Sequence, residues 1–198
     1  MVPSVLAYGA VTLLAAFIAA FAGLPSLFAV PIEDRGTISM IAAALLASVV
    51  VVGGRRLERY EWYARMGEVL RDPVRLLLGP RAGAQEAFIV ALSSAVGEET
   101  FFRGAIQPGL ARLFERHLHL EPRAAILGAI VATALSFTIL HPPWKRELRP
   151  WTFFALVMGL VWGGLAAWSG SLAGPVLSHF LVNFFNLRRL LAWDAETR

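Results

Sequence analysis

Six ionisable or amide side chains lie in stretches of this sequence that are otherwise apolar. Glu98, Glu99 and Arg103 share one stretch, His141 ends a second, and His179 and Asn183 occupy a third. A charge at the centre of a bilayer costs at least about 2.5–3.5 kcal/mol, so such residues normally face the protein interior, pair with each other and do work. Glu99 and Arg103 are four residues apart, share a helix face and are expected to pair. Glu98 lies roughly 140° from Arg103 around the helix axis, free to meet a neighbouring helix. His179 and Asn183 share one face, as do Phe137 and His141. The simplest assembly points Glu98, His141, His179 and Asn183 into one cavity.

Such a set can hydrolyse. A carboxylate serves as a general base for water. Asn and His side chains donate hydrogen bonds to a developing oxyanion, often the largest catalytic term. A second chemistry stays open, because Glu98, His141 and His179 together make the two-imidazole, one-carboxylate ligand set of a catalytic zinc. The helical HExxH pairing is absent, however, and these histidines fall on different helices. Water activation without a metal or other cofactor is therefore favoured, with zinc as the alternative. The chain has no cysteine, which excludes disulfides, thiolate metal sites and a cysteine nucleophile.

The elements that position these residues follow from composition. The chain has 198 residues, 57% hydrophobic and 16% charged, with a mean hydropathy of +0.62. Soluble domains are nearer ~25% charged, and so much apolar surface cannot be buried in so small a globule. The expected fold is an all-α polytopic transmembrane bundle: about six spans plus an interfacial amphipathic helix, in one domain over 1–198 with its core at about 85–186. The spans are placed at residues 2–24, 37–52, 85–113, 124–140, 151–168 and 172–191, against the ~20 residues that a crossing needs, the third being longer. The first lacks a basic n-region and a clear cleavage site, so it reads as a retained helix. Gly53-Gly54 is expected to end the second, Pro108 to kink the third, and Pro142-Pro143 to stop the fourth. Residues 55–81 mix arginine with Trp, Tyr, Leu and Val, as an interfacial helix does. Trp144, Trp151, Trp168 and Trp193 lie near helix ends, where aromatic belts sit. Gly159, Gly163 and Gly164 are expected to let helices approach closely. His117 and His119, in a charged loop, read as solvated.

The formal charge is +4 and the pI about 10.3. The basic residues fall between apolar runs, which reads as membrane orientation and not as a nucleic-acid surface. Seven arginines lie in 55–81, three basic residues in 142–150 and three in the tail, against Arg35, Arg112, Arg116 and Arg123 on the opposite side. That asymmetry puts both termini in the cytoplasm. The alanine- and arginine-rich composition points to a bacterial inner membrane.

The motifs are also similar to those of a known family. Glu98-Glu99-Thr100-Phe101-Phe102-Arg103 resembles the EExxxR motif of the CAAX-protease and bacteriocin-processing family. Phe137–His141 matches its FxxxH motif and His179–Asn183 its HxxxN motif, in the same order and within apolar helices. The family includes the type II CAAX prenyl endopeptidase and bacterial Abi or self-immunity proteins. The resemblance covers about 85–186 and implies a helical intramembrane endopeptidase acting on a membrane-anchored protein or peptide. By carry-over, Glu98 would activate water and His141 would hold that water or the substrate carbonyl. His179 and Asn183 would stabilise the oxyanion, with Glu99, Arg103 and Phe137 in support. Family members have been described both as metalloproteases and as glutamic proteases. The eukaryotic endopeptidase has more spans than the six counted here, and prenyl-protein cleavage is not the expected activity of this chain.

A second class of function uses the same cluster without catalysis: a membrane scaffold, an immunity protein or a transport-type protein binding peptide or ions. Polar groups commonly glue membrane helices together. Transporters tend to show repeated halves, and no internal repeat is visible. Segment 142–148, following His141, is expected to help form the mouth of the site.

Overall fold

Many of the buried residues are small, and many large apolar ones face outward. Ala43, Ala47, Ala87, Ala91, Ala95, Ala125, Ala129 and Ala134 are fully or almost fully buried, while Leu13, Phe17, Leu45, Val49, Leu127, Leu135, Ile139 and Phe153 are exposed. A soluble protein does the reverse. This pattern fits helices that approach closely through alanine and glycine and turn their bulk to lipid. The protein is an integral membrane protein.

The computed structural model describes residues 2–21, 23, 34–79, 82–141 and 143–193. Residues 24–33 between the first two expected spans, Pro80 and Arg81 of the 55–81 segment, Pro142, the Trp193 side chain and the tail beyond it lie outside the described residues. Among the described residues the chain is helical with no strand. The α-helices are α1 Val2–Phe21, α2 Asp34–Leu57, α3 Glu61–Leu78, α4 Ala84–Glu99, α5 Gln107–His117, α6 Pro122–Ile139, α7 Arg149–Ser169 and α8 Ala173–Trp193. A π-helical stretch, Thr100–Ile106, joins α4 to α5, and a short 3-10 turn, Arg146–Leu148, precedes α7. Among the described residues four helical segments are long and apolar enough to cross a membrane: Pro3–Phe21, Asp34–Leu57, Pro122–Ile139 and Arg146–Ser169. The segments carrying most of the polar residues, α4–π–α5 and α8, are not among these four.

Local chemistry sets the ends. The Glu86 carboxylate reaches back to the Gly83 N–H at 2.8 Å and caps α4. The Glu121 carboxylate accepts from the Arg123 and Ala124 amides at the start of α6. Gly170, at φ 67°, closes α7 with its N–H on the Ala166 carbonyl.

Three expectations change. Gly53-Gly54 does not end the second helix, which runs on to Leu57. Gly54 instead makes room for a clasp, since a Cβ there would lie 2.6 Å from Arg189 Nη1. Arg189 donates to the Val51 carbonyl and the Tyr63 hydroxyl at 3.0 Å each and pairs with Glu58 at 2.9 Å, tying α2, α3 and α8 together. The third helix is not simply kinked at Pro108. It widens beforehand into the π stretch, with the Gln107 N–H on the Phe102 carbonyl five residues back, and Pro108 falls in the first turn of α5. Wider i→i+5 turns recur at functional sites. Gly164 has nothing within 4 Å, whereas a Cβ at Gly159 would lie 3.2 Å from Ala134 Cα; only the face of α7 that carries Gly159 and Gly163 makes the close approach.

The segment expected at the interface, 55–81, holds a separate helix, α3, shorter than expected because Arg55–Leu57 belong to α2. Its Gly67 and Leu78 are buried and Trp62 is exposed, and it packs on α8 and on the 3-10 turn. The most extensive helix pairs are α2 with α8, α6 with α7, and α4 with α8; α1 lies against α4 and the π stretch.

Candidate active site

Glu99 and Arg103 are side by side on α4 and the π stretch, both side chains fully buried, with Arg103 Nη1 3.2 Å from Glu99 Oε1. The pairing expected from their spacing is present. The second Arg103 amine, Nη2, donates to the Gly159 carbonyl of α7 at 3.2 Å. Its guanidinium lies 4.8 Å from the Phe137 ring centroid and 5.7 Å from those of Phe102 and Trp162. These aromatics, with Ala155 and Met158, form the buried cluster around the charge. A guanidinium is weakly hydrated and stacks on aromatic faces, which suits it to this place.

The same Glu99 oxygen holds His179 of α8, with Nδ1 at 2.8 Å. An ionised carboxylate can only accept, so Nδ1 carries the proton. The imidazole is stacked on the Trp162 indole at a centroid distance of 4.2 Å and an angle of 13°. Thus oriented, the ring points Nε2 toward Glu98, 3.8 Å from Oε2. The side chain of Glu98 is 17% exposed and that of Glu99 not at all. Glu98 Oε2 itself is buried and has no hydrogen-bond partner. Glu99 Oε2 is likewise buried without a hydrogen-bond partner, so the two adjacent carboxylates differ in that only Glu99 is paired with Arg103.

Phe137 sits between the parts. It is buried, edge-on to His179 at 6.2 Å, and 4.5 Å from the His141 ring. His141 Nδ1 is 2.8 Å from the Phe137 carbonyl. The carbonyl only accepts, so Nδ1 donates and Nε2 of the neutral ring keeps its lone pair. Trp151 lies edge-on to His141 at 5.0 Å, and the Thr152 hydroxyl donates to the His141 carbonyl at 2.7 Å. Asn183, one turn beyond His179, donates to Ser94 Oγ at 3.1 Å, one turn before Glu98. Glu98, Glu99, Arg103 and His179 are thus brought together directly. His141 is linked to them through Phe137, and Asn183 through Ser94. After His141 the chain lines a surface cavity of about 400 Å³, where Arg146, Glu147 and Pro150 meet Glu61, Trp62 and Arg65 of α3. His117 and His119 are exposed, away from the cluster.

Glu98, His141 and His179 do not converge as a three-ligand metal site. Among the described residues no group of three His, Asp or Glu side chains is placed to hold a metal ion.

Four residues unforeseen in the sequence complete the site. Ser94 holds Asn183, and Trp162 stacks on His179. Gln107 donates to the Gly163 carbonyl at 3.0 Å, repeating one turn later what Arg103 does at Gly159. Tyr8 of α1 packs against Gly97, where a Cβ would lie 3.0 Å from its carbonyl oxygen, beside Glu98 in sequence. Two of these had a visible signal. Gln107 continues the four-residue series Glu99, Arg103, Gln107, and Ser4, Tyr8 and Thr12 form a polar stripe four residues apart on an apolar helix.

A family model described as type II CAAX prenyl endopeptidase Rce1-like matches residues 81–185, which hold all three motifs. No curated protein and no solved structure matches the chain.

Proposed function

The chain belongs to the type II CAAX prenyl endopeptidase Rce1-like family of CAAX-type intramembrane proteases, and from that premise we propose that it cleaves a membrane-anchored protein or peptide with water activated by Glu98. In this reading α1, α2, the α4–π–α5 segment, α6, α7 and α8 all cross the bilayer of a bacterial inner membrane, with both termini cytoplasmic and α3 at the interface. The observation that carries the mechanism is the unpartnered Glu98 Oε2 facing His179 Nε2 across 3.8 Å. A water bonded to both, at about 2.8 Å each, would subtend roughly 85° at its oxygen, narrower than the tetrahedral arrangement of a water's partners.

The charges support a proton shared between the two groups. Glu98, Glu99, Arg103 and a protonated His179 sum to zero, whereas a neutral His179 beside two carboxylates leaves one negative charge uncompensated in a low dielectric. Glu98 takes a proton from water as the water oxygen attacks the substrate carbonyl carbon. The carbonyl oxygen becomes an oxyanion and accepts from His179 Nε2–H. Asn183 adds a second donor, because its amide nitrogen has two hydrogens and Ser94 takes one. His141 Nε2 accepts the second hydrogen of the attacking water and orients it. When the C–N bond breaks, Glu98 returns its proton to the leaving amine.

The test is cleavage of a co-expressed panel of membrane-anchored substrates by wild type and Glu98→Gln at matched folded levels. Cleavage by wild type alone supports the reading. Equal cleavage by both removes Glu98 from the mechanism, and a Gln variant that misfolds favours a structural cluster.

A further inference from the structure

Helices α2 and α8 run side by side in the same direction. A Cβ on Gly174 would overlap Ser39 Oγ, and about four turns further along each helix a Cβ on Gly54 would lie 2.6 Å from Arg189 Nη1. The segment Asp34–Leu57 is long and apolar enough to cross a membrane, so the shared C-terminal end of the pair, where apolar residues give way to arginine, lies at a bilayer surface. There a cavity of about 470 Å³ is lined by Arg55, Glu58, Arg188 and Arg189, together with the apolar Val51 and Phe185.

The charges around this cavity do not cancel. Glu58 is taken by Arg189 at 2.9 Å, and Arg189 also donates to the Val51 carbonyl and the Tyr63 hydroxyl. Arg55 and Arg188 are exposed, and among the described residues neither forms an ion pair. The Arg188 guanidinium carbon lies 6.0 Å from the Phe184 ring centroid, a contact that uses none of its N–H groups. The cavity beside α3 differs, because Glu61 and Glu147 there balance Arg65 and Arg146. Just before the arginines, on the same two helices, Val49, Val52 and Phe185 are exposed apolar side chains. Unneutralised arginines next to lipid-facing apolar surface complement a phosphate that carries acyl chains.

We propose that this cavity binds the headgroup of an anionic phospholipid, with Arg55 and Arg188 donating to its phosphate and the acyl chains lying along Val49, Val52 and Phe185. The headgroup bridges α2 and α8 at the level of the Arg189 clasp, about 9 Å along α8 from Asn183. The lipid thereby helps to seat the helix that carries His179 and Asn183. Arginine near a helix C-terminus also answers the macrodipole, but Arg56 does that without lining the cavity, which makes it the natural control.

The experiment uses the full chain in phosphatidylcholine nanodiscs doped with spin-labelled phosphatidylglycerol or spin-labelled phosphatidylcholine. Electron paramagnetic resonance reads the fraction of label held by the protein. The expected result is a preference for phosphatidylglycerol that falls about tenfold or more when Arg55→Gln and Arg188→Gln are combined. Arg56→Gln combined with Arg59→Gln removes the same charge outside the cavity and should keep the preference within about twofold. Equal losses in the two double variants mean a diffuse basic surface and overturn the proposal. A wild type without preference, as when the cavity is filled by the chain's own tail or by another protein, overturns it too. Inorganic phosphate should not release the label beyond a chloride control of equal ionic strength; release would assign the cavity to a free anion. If the Arg55/Arg188 double variant fails to fold, each single variant must lower the preference about threefold or more. None of these readouts involves cleavage, so the result is independent of the role assigned to Glu98.

Discussion

Replacing Arg103 with Met leaves Glu99 as a fully buried carboxylate without its guanidinium. Both side chains have zero solvent exposure, so no screening by water softens the loss. Removing one partner of a buried ion pair costs about 3–5 kcal/mol, whereas removing both charges is often nearly neutral. His179, 2.8 Å from the same oxygen, supplies a remaining donor and places the expected cost toward the lower end, about 3 kcal/mol. The stacking over Phe137 at 4.8 Å and the bond to the Gly159 carbonyl are lost as well. Glu99→Gln combined with Arg103→Met is expected to recover to within about 1 kcal/mol of wild type, for a coupling of at least about 2 kcal/mol in the double-mutant cycle. The assay is equilibrium unfolding in mixed micelles, followed by the fluorescence of Trp162 and its fellow tryptophans. The reasoning fails if Arg103→Met unfolds within about 1 kcal/mol of wild type, or if the double variant is no more stable than the single.

Glu98→Gln should behave in the opposite way, keeping its unfolding midpoint while losing about 10²–10⁴ in turnover, and chelators should leave wild-type turnover unchanged. A variant that loses stability and activity together would point to a structural role. Gly163→Ala places a Cβ 2.8 Å from Gln107 Oε1 and 3.2 Å from Ile130 Cγ2 and should cost about 1–3 kcal/mol in the same unfolding assay. Gly164→Ala, with nothing within 4 Å, should stay within about 0.5 kcal/mol; equal effects would mean that α7 is rotated from the orientation described. Asn183→Ala should lower kcat by about 10²–10³ as an oxyanion donor is lost, while Ser94→Ala, which touches only the other amide hydrogen, should stay within about tenfold. A Ser94 effect as large as that of Asn183 would assign both to scaffolding.

Relations along a single helix were legible before any fold was known. The Glu99–Arg103 pair follows from a period of 3.6 residues, and so do the shared faces of Phe137 with His141 and of His179 with Asn183. That period is a property of the backbone, which every helix obeys wherever it packs. The membrane setting was equally plain, because an apolar excess of this size has no aqueous solution. The tertiary structure decided what lies across each helix. Nothing local states that Asn183 meets Ser94, that Trp162 lies flat on His179, that Gly163 rather than Gly164 faces a neighbour, or that Tyr8 packs against Gly97. Those contacts depend on how each helix is rotated and shifted against the next, which the summed packing of many small side chains sets. The same holds for Gly53-Gly54, a stop signal in isolation, which lies within an uninterrupted helix where Arg189 of α8 uses the space that Gly54 leaves.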